Sequence, residues 1–408
     1  MSDYILNDDE TIPILAWIGP QRDDITRENL RRMAEAGFNI NLGAVDEEKI
    51  LPVLDLCAET GVRLLWNHPA FDLGRKTPEA GPGYQLSQEE TDRIKALVLK
   101  VKDHPGLYGY HVHDEPALAD LEWNTAVIRE IEALDPYHMC YVNHNAPVIQ
   151  GAYGAGTQEA LWRAWIKKSS PRYLSYDHYP IEQRPWEMAK ALGDAPNVFG
   201  NIVVKPNYFA CLDFARSFCV ALELPLWAFT CSVPHWSYPE PTEGHLRFQL
   251  MCDLAYGARG LQYFTYWGDR SLVGSDGVPN PTYCLAQRVN RDIHALWKKL
   301  KGLRSIGVYH TGPVWEGTTR LMMYPVEAWG MDHLGLRFKC VGDPAVLGVF
   351  DDPEGNMYVL AVNKNPVESA TISLDPSLED TVPHKWHPLK PGEGKLFKIL
   401  PDGSPVET

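Results

Sequence analysis

Through residue 304, short apolar runs alternate with longer stretches whose apolar positions recur every three or four residues. Most of the short runs end in Gly, Pro, Asn or His, and all read as strands. The longer ones read as amphipathic helices. The strand candidates are IPILAWIG (12–19), FNINLG (38–43), VRLLWNH (62–68), LYGYHVHDE (107–115), MCYVNHN (139–145), YLSYDHYP (173–180), LWAFTCSV (226–233) and GLQYFTYWG (260–268). Helices are expected at Arg27–Ala36, Glu47–Thr60, from Ser87 onward, Leu118–Leu134, Gln158–Lys168, Tyr208–Ala221, Thr242–Gly257 and Cys284–Leu303. Ser87, with Glu90 three residues on, has the pattern of a capping box.

Eight successive β-then-α units predict an α/β fold, a (β/α)8 TIM barrel spanning 1–304. A doubly wound open sheet is the alternative. It carries a Gly-rich phosphate turn after its first strand, and WIGPQRDD is no such turn. Beyond Arg304 the helical period disappears. GLRFKCV, AVLGVFDD, MYVLAVNKN, SATISL and GKLFKIL follow, separated by turns such as DDPEGN. They predict a small antiparallel β-sandwich over 305–408.

Composition narrows the partners. With 45% hydrophobic and 22% charged residues, the 408-residue chain can bury a large core. A net charge of −15, without any basic run, argues against a nucleic-acid partner. No stretch approaches the roughly 18 apolar residues of a membrane span. The beginning, MSDYILNDDETIP, does not read as a signal peptide. The eight cysteines include no CxxC pair and read as buried thiols in a reducing compartment. The expectation is a cytoplasmic protein, and a secreted or periplasmic one that had lost its leader would read the same. Composition calls for no cofactor and does not give the oligomeric state.

In a (β/α)8 barrel, functional groups stand at the C-terminal strand ends. Here those ends carry Trp17, Asn41, Trp66, Asn67, His68, His111, His113, Asp114, Glu115, Asn143, His144, Asp177, His178, Tyr179, Cys231, His235, Trp236, Tyr266 and Trp267. Aromatic rings suit the apolar faces of sugars, and Asn, His and Asp can bond the hydroxyls around them. A carbohydrate substrate is therefore expected, with Trp66, Trp236 and Trp267 as stacking platforms. Glu115 is the leading candidate for the general acid that protonates a glycosidic oxygen. A capping role at the following helix is the plainer alternative for it.

The motifs GYHVHDEP at the fourth strand, GARGLQYFTYW at the eighth and LGVFDDPEGNMYVLAVNKN in the trailing segment resemble the clan A glycoside hydrolases, the superfamily of β-galactosidase-type barrels. The resemblance spans nearly the whole chain through loose motifs. It implies that Glu115 is the acid/base residue ending the fourth strand, with Asp114 in place of the usual Asn. It also implies a nucleophilic Glu ending the seventh strand. LWAFTCSVPHW has Cys231 near that place and no carboxylate. Asp177 is then the candidate second catalytic carboxylate, as base or nucleophile, ahead of Asp114, Glu240, Glu243 and Asp269. A Glu115–Asp177 pair favours the wider spacing of about 6.5–9.5 Å and an inverting displacement. Retention through Glu240 or Glu243 is the alternative.

Two further readings compete. His111 and His113, two apart on a strand, should face one side and could ligate a metal with Asp177, His144 or His178. Alternatively, the barrel binds carbohydrate without cleaving it. Cysteine nucleophilic chemistry through Cys231 and His235 has little support, since a strand-end Cys is more often inert.

Overall fold

The computed structural model describes residues 10–72, 81–147, 154–191, 195–313, 315, 318, 338–375 and 383–408. Eight parallel strands close a barrel: β1 (Ile14–Trp17), β2 (Ile40–Ala44), β3 (Arg63–Asn67), β4 (Leu107–Asp114), β5 (Met139–Asn145), β6 (Leu174–Asp177), β7 (Leu226–Cys231) and β8 (Ala258–Phe264). Closure is made by β1, which pairs with both β2 and β8. The helices that follow the strands are α1 (Arg27–Glu35), α2 (Ile50–Thr60), α3 (Gln88–Val101), α4 (Leu121–Leu134), α5 (Gln158–Ser169), α6 (Tyr208–Leu222), α7 (Glu243–Ala255) and α8 (Pro281–Leu300). Every predicted barrel strand and helix is present, shifted by a few residues at its ends. Ser87 caps α3 as its spacing predicts. Its Oγ accepts from Glu90 N at 3.2 Å, and Glu90 Oε2 accepts from Ser87 N at 2.7 Å.

Within the barrel's span, a small sheet and the short helix Trp186–Ala191 were not predicted. Between β6 and α6 the chain makes a small antiparallel sheet from Ile181–Gln183, Val198–Phe199 and Ile202–Val204. Two- and three-residue strands in a polar, Pro-containing stretch leave no readable alternation.

The C-terminal strands are β9 (Arg304–His310), β10 (Lys339–Gly342), β11 (Ala345–Asp351), β12 (Met357–Asn363), β13 (Ala370–Asp375), β14 (His387–Leu389), β15 (Gly394–Ile399) and β16 (Pro405–Glu407). They form a five-stranded sheet in the order β9-β11-β12-β15-β16 and a three-stranded sheet β10-β13-β14. One core draws on both sheets, with Leu347, Val359, Ala361 and Phe397 from the first and Cys340, Ile372, Leu374 and Leu389 from the second. The first residues of GLRFKCV lie outside the described ones. β9, β14 and β16 were not anticipated.

The chain divides into two compact units. One comprises residues 1–178, 218–233 and 259–291, and the other 179–217, 234–258 and 292–408. The second unit thus holds α7 together with the C-terminal strands. Within it the backbones touch. A Cβ placed on Gly348 of β11 would lie 2.3 Å from Ala255 O, and one on Gly392 would lie 2.3 Å from Phe248 N. Such approaches explain why α7 is buried from Gly244 to Ala255, including its polar His245, Arg247, Gln249 and Asp253.

Candidate active site

The fourth strand does not alternate cleanly. Its register against β5 runs His111↔Tyr141, His113↔Val142, Asp114↔Asn143, with an irregularity between His111 and His113. A bulge of this kind re-aims the side chains that follow it. His111 faces the barrel interior, its ring 5.6 Å from that of Trp17 and 5.8 Å from that of Tyr141. His113 faces the helix layer, where Nδ1 lies 3.2 Å from Asn124 Oδ1 of α4. The expectation that the two histidines share a face is therefore corrected. Among the described residues, no three His, Cys, Asp or Glu side chains are grouped as a metal site requires.

After the bulge, Asp114 pairs with Asn143, and Glu115 leaves the strand at φ 52° with its N–H bonded to Asn143 O at 2.9 Å. A glutamate in the left-handed region is strained, and such strain concentrates at functional sites. Asn143 ties the strand ends together. Its Nδ2 donates to Asp177 Oδ1 at 3.0 Å and to Asp114 Oδ1 at 3.3 Å. Its Oδ1 accepts from Ser175 Oγ at 2.9 Å. Ser175 Oγ in turn lies 3.1 Å from Tyr141 OH and accepts from Gln262 Nε2 at 2.9 Å, while Tyr141 OH donates to Gln262 Oε1. Below the carboxyls, a polar layer from β5, β6 and β8 thus orients the Asn143 amide.

The carboxyls perturb one another. Burial pushes Asp177 well above the usual carboxylate range, the charges of Glu115 and Asp114 raise it further, and the Asn143 bond partly offsets the rise. Asp114 is pushed up to about 6, first by burial, opposed by His111 and then reinforced by Glu115. Asp114 also keeps surface open to water.

Other strand-end residues are not all in the mouth, because successive side chains on a strand point to opposite faces. Trp17 is inside, against His111, Tyr141 and Phe229. Asn41 is buried and donates to Pro20 O at 3.2 Å, and Asn67 is half-buried beside His111 in the ladder. Trp66 has no exposed surface, and its Nε1 donates to Val45 O at 3.1 Å. It cannot serve as a platform. His68 folds back onto Trp66 and Phe71. His144 packs on Trp162 and Trp165 of α5, away from Asn143, and burial lowers it to about 3. Tyr266 is buried against Phe38, while His178 and Trp267 are nearly so. The sugar-contact expectation for His113, His144 and Tyr266 fails for the same reason as for Trp66.

β7 ends in Cys231, buried, with Sγ donating to Val233 O at 3.3 Å. Glu243 is held by Arg247 one turn on, and Asp269 accepts from Ser275 Oγ at 2.6 Å, so both have structural partners. In the second unit, Tyr179, His235 and Tyr238 form an aromatic cluster, and Tyr238 N bonds His235 O at 2.8 Å across a tight turn. That turn holds Trp236 at φ 50° with its side chain 96% exposed. Glu240 lies near it in sequence, in the same unit.

Sequence reasoning missed Asp72, whose Oδ2 stands 2.9 Å from His111 Nδ1. It sits in an irregular loop with no period to mark it.

No family model and no curated protein matches the sequence. Solved structures do match. The β-galactosidase of the psychrophilic Marinomonas ef1 aligns over 71% of this chain and 60% of its own, with a TM-score of 0.50 at 11% identity. A β-galactosidase from the Antarctic haloarchaeon Halorubrum lacusprofundi covers 73% and 60% with a TM-score of 0.49 at 12% identity. Xylanase 10B of Thermotoga maritima covers 72% and 100% with 0.45 at 12%. The chain thus spans about three fifths of the length of the two β-galactosidases. At such identities the likeness is one of fold, the closed (β/α)8 barrel.

Proposed function

We propose that the chain is a glycoside hydrolase whose catalytic carboxyls are Glu115 and Asp177. The observation that carries this reading is the convergence of Asp114, Glu115 and Asp177 at the C-terminal strand ends, with Asn143 bonded to both aspartates. Glycoside cleavage needs one carboxyl that holds a proton and another that attacks or activates water. Burial and the neighbouring carboxyls raise Asp177, which favours its protonated form. We therefore assign proton donation to the leaving oxygen to Asp177, and activation of water on the opposite face to Glu115. This exchanges the roles read from sequence and keeps the inverting outcome.

The test is a broad glycoside panel with the intact protein and two variants. Glu115→Gln and Asp177→Asn should each lower turnover of unactivated glycosides at least about a hundredfold. With a dinitrophenyl leaving group, which needs no protonation, the Asp177→Asn defect should largely vanish and the Glu115→Gln defect should persist. Near-normal turnover by both folded variants would sink the assignment. A carbohydrate-binding barrel without catalysis is the second reading, favoured by Cys231 where a carboxylate was expected. Saccharide binding without turnover anywhere on the panel would select it.

A further inference from the structure

The three-stranded sheet β10-β13-β14 of the second unit holds two exposed rings in fixed places. His384 and Trp386 stand in the segment that leads into β14. Trp386 is 50% exposed, and the His384 side chain is 32% exposed. Their ring centroids lie 5.2 Å apart at an interplanar angle of 66°. Each ring has its own support. The indole lies against Gly342 at the end of β10, where a Cβ would stand 3.0 Å from Trp386 Cζ3 and 2.3 Å from Thr371 O. Gly342 also has φ 105°, so a side chain there would be strained as well as crowded. The imidazole is held by Asp375 at the end of β13, whose Oδ2 is 2.8 Å from His384 Nδ1. The other oxygen of Asp375 accepts from Ser373 Oγ at 2.8 Å, and both Ser373 and Asp375 are buried. A buried carboxyl thus orients a surface imidazole, and with Nδ1 engaged it is Nε2 that is left to meet a ligand.

We infer that Trp386 and His384 form a saccharide-binding site on the second unit. The inference goes beyond the hydrolase reading and does not depend on it. An indole offers an apolar surface to the C–H groups of a sugar ring, and the imidazole beside it offers a hydrogen-bonding nitrogen to a hydroxyl. Rings already fixed by Gly342 and Asp375 lose little side-chain freedom when a ligand arrives. The size of the patch speaks for a sugar rather than a protein. A tryptophan buries about 150–250 Å², whereas a standard protein interface takes about 800 Å² from each partner. Asp375 touches no ligand in this arrangement and acts as a positioning residue through His384.

Native electrophoresis of the full-length protein in gels cast with mixed-linkage β-glucan, glucomannan or galactan tests the site. At least one of the three should retard the unsubstituted protein. Trp386→Ala should raise the apparent dissociation constant at least about tenfold, the scale of losing a central aromatic contact. His384→Ala should weaken retardation in the same direction. Trp186→Ala removes an indole that is 60% exposed elsewhere in the unit and should leave retardation unchanged. No retardation by any of the three polysaccharides overturns the proposal, and so does equal retardation of Trp386→Ala and the unsubstituted protein, or an equal loss in Trp186→Ala. If Trp386→Ala does not fold, the indole N–H signal absent from Trp386→Phe is followed in the unsubstituted protein. It should move on addition of oligosaccharides cut from the retarding polysaccharide, and an unmoved signal overturns the site. The glycoside panel fails or succeeds separately. Turnover without retardation removes only this site, and retardation without turnover removes only the reaction.

Discussion

His144 follows Asn143 on β5 and faces the other way, toward the rings of Trp162 and Trp165, with neither ring nitrogen hydrogen-bonded among the described residues. Burial keeps it neutral down to about pH 3, whereas the unfolded chain takes up a proton near the ordinary value of 6.5. Its contribution to stability is thus complete above 6.5 and is lost progressively as pH falls from 6.5 toward 3. His144→Phe removes this titration and keeps a ring between the indoles. The variant should match the parent near pH 8 and exceed it at pH 5 by about 2 kcal/mol, since the parent loses about 1.4 kcal/mol for each pH unit below 6.5. Denaturant titrations at the two pH values check this, and a parallel loss in both proteins would refute it. At this scale the sequence was partly legible. Asp114, Glu115, Asn143 and Asp177 were marked by their places at strand ends. Which of two neighbours enters the mouth was less legible, because a bulge in β4 separated His111 from His113.

Elements were the most readable level, because each barrel strand and helix has its own period and boundaries. What the pattern hides is closeness between elements that are distant in sequence. Gly348 lies on β11, ninety-three residues beyond Ala255 at the end of α7. In sequence it looks like a weak point in an apolar strand. In the fold, a Cβ there would stand 2.3 Å from Ala255 O and 2.8 Å from Ala255 Cα, so neither backbone can stay where it is. Gly348→Ala should destabilise by about 1–3 kcal/mol, the range for overpacking. Gly302 is the control, since an added Cβ there meets nothing within 4 Å and its φ is not positive. Gly302→Ala should be neutral or slightly stabilising. Equal melting temperatures for the two variants would show that α7 and β11 can separate freely. β14 and β16 escaped the sequence reading because three residues are too few to display an alternation.

For the whole molecule, the sequence suggests a barrel to residue 304 followed by an independent β-domain, because the helical period stops there. Compactness divides the chain differently. The second unit takes 179–217 and 234–258 from the barrel's span and joins them to 292–408. α7 is the decisive element. Its burial from Gly244 to Ala255 would be unusual for a helix at the outside of a barrel, which normally shows a polar stripe to water. Here the C-terminal segments cover it. Besides the Gly348 contact, a Cβ on Gly244 would lie 2.4 Å from Pro366 O and 2.6 Å from Pro391 Cβ. Deleting residues 305–408 would uncover Leu246, Phe248, Leu250, Met251 and Leu254 only in part, but it would remove every strand of the core that Leu347 and Phe397 share. The 1–304 fragment should therefore lack a cooperative thermal transition and bind a hydrophobic dye that the full chain does not. A soluble 1–304 fragment that melts cooperatively, with the near-ultraviolet signal of packed aromatic rings, would show instead that the barrel is complete without its C-terminal strands and that the boundary read from the sequence is also the boundary of folding.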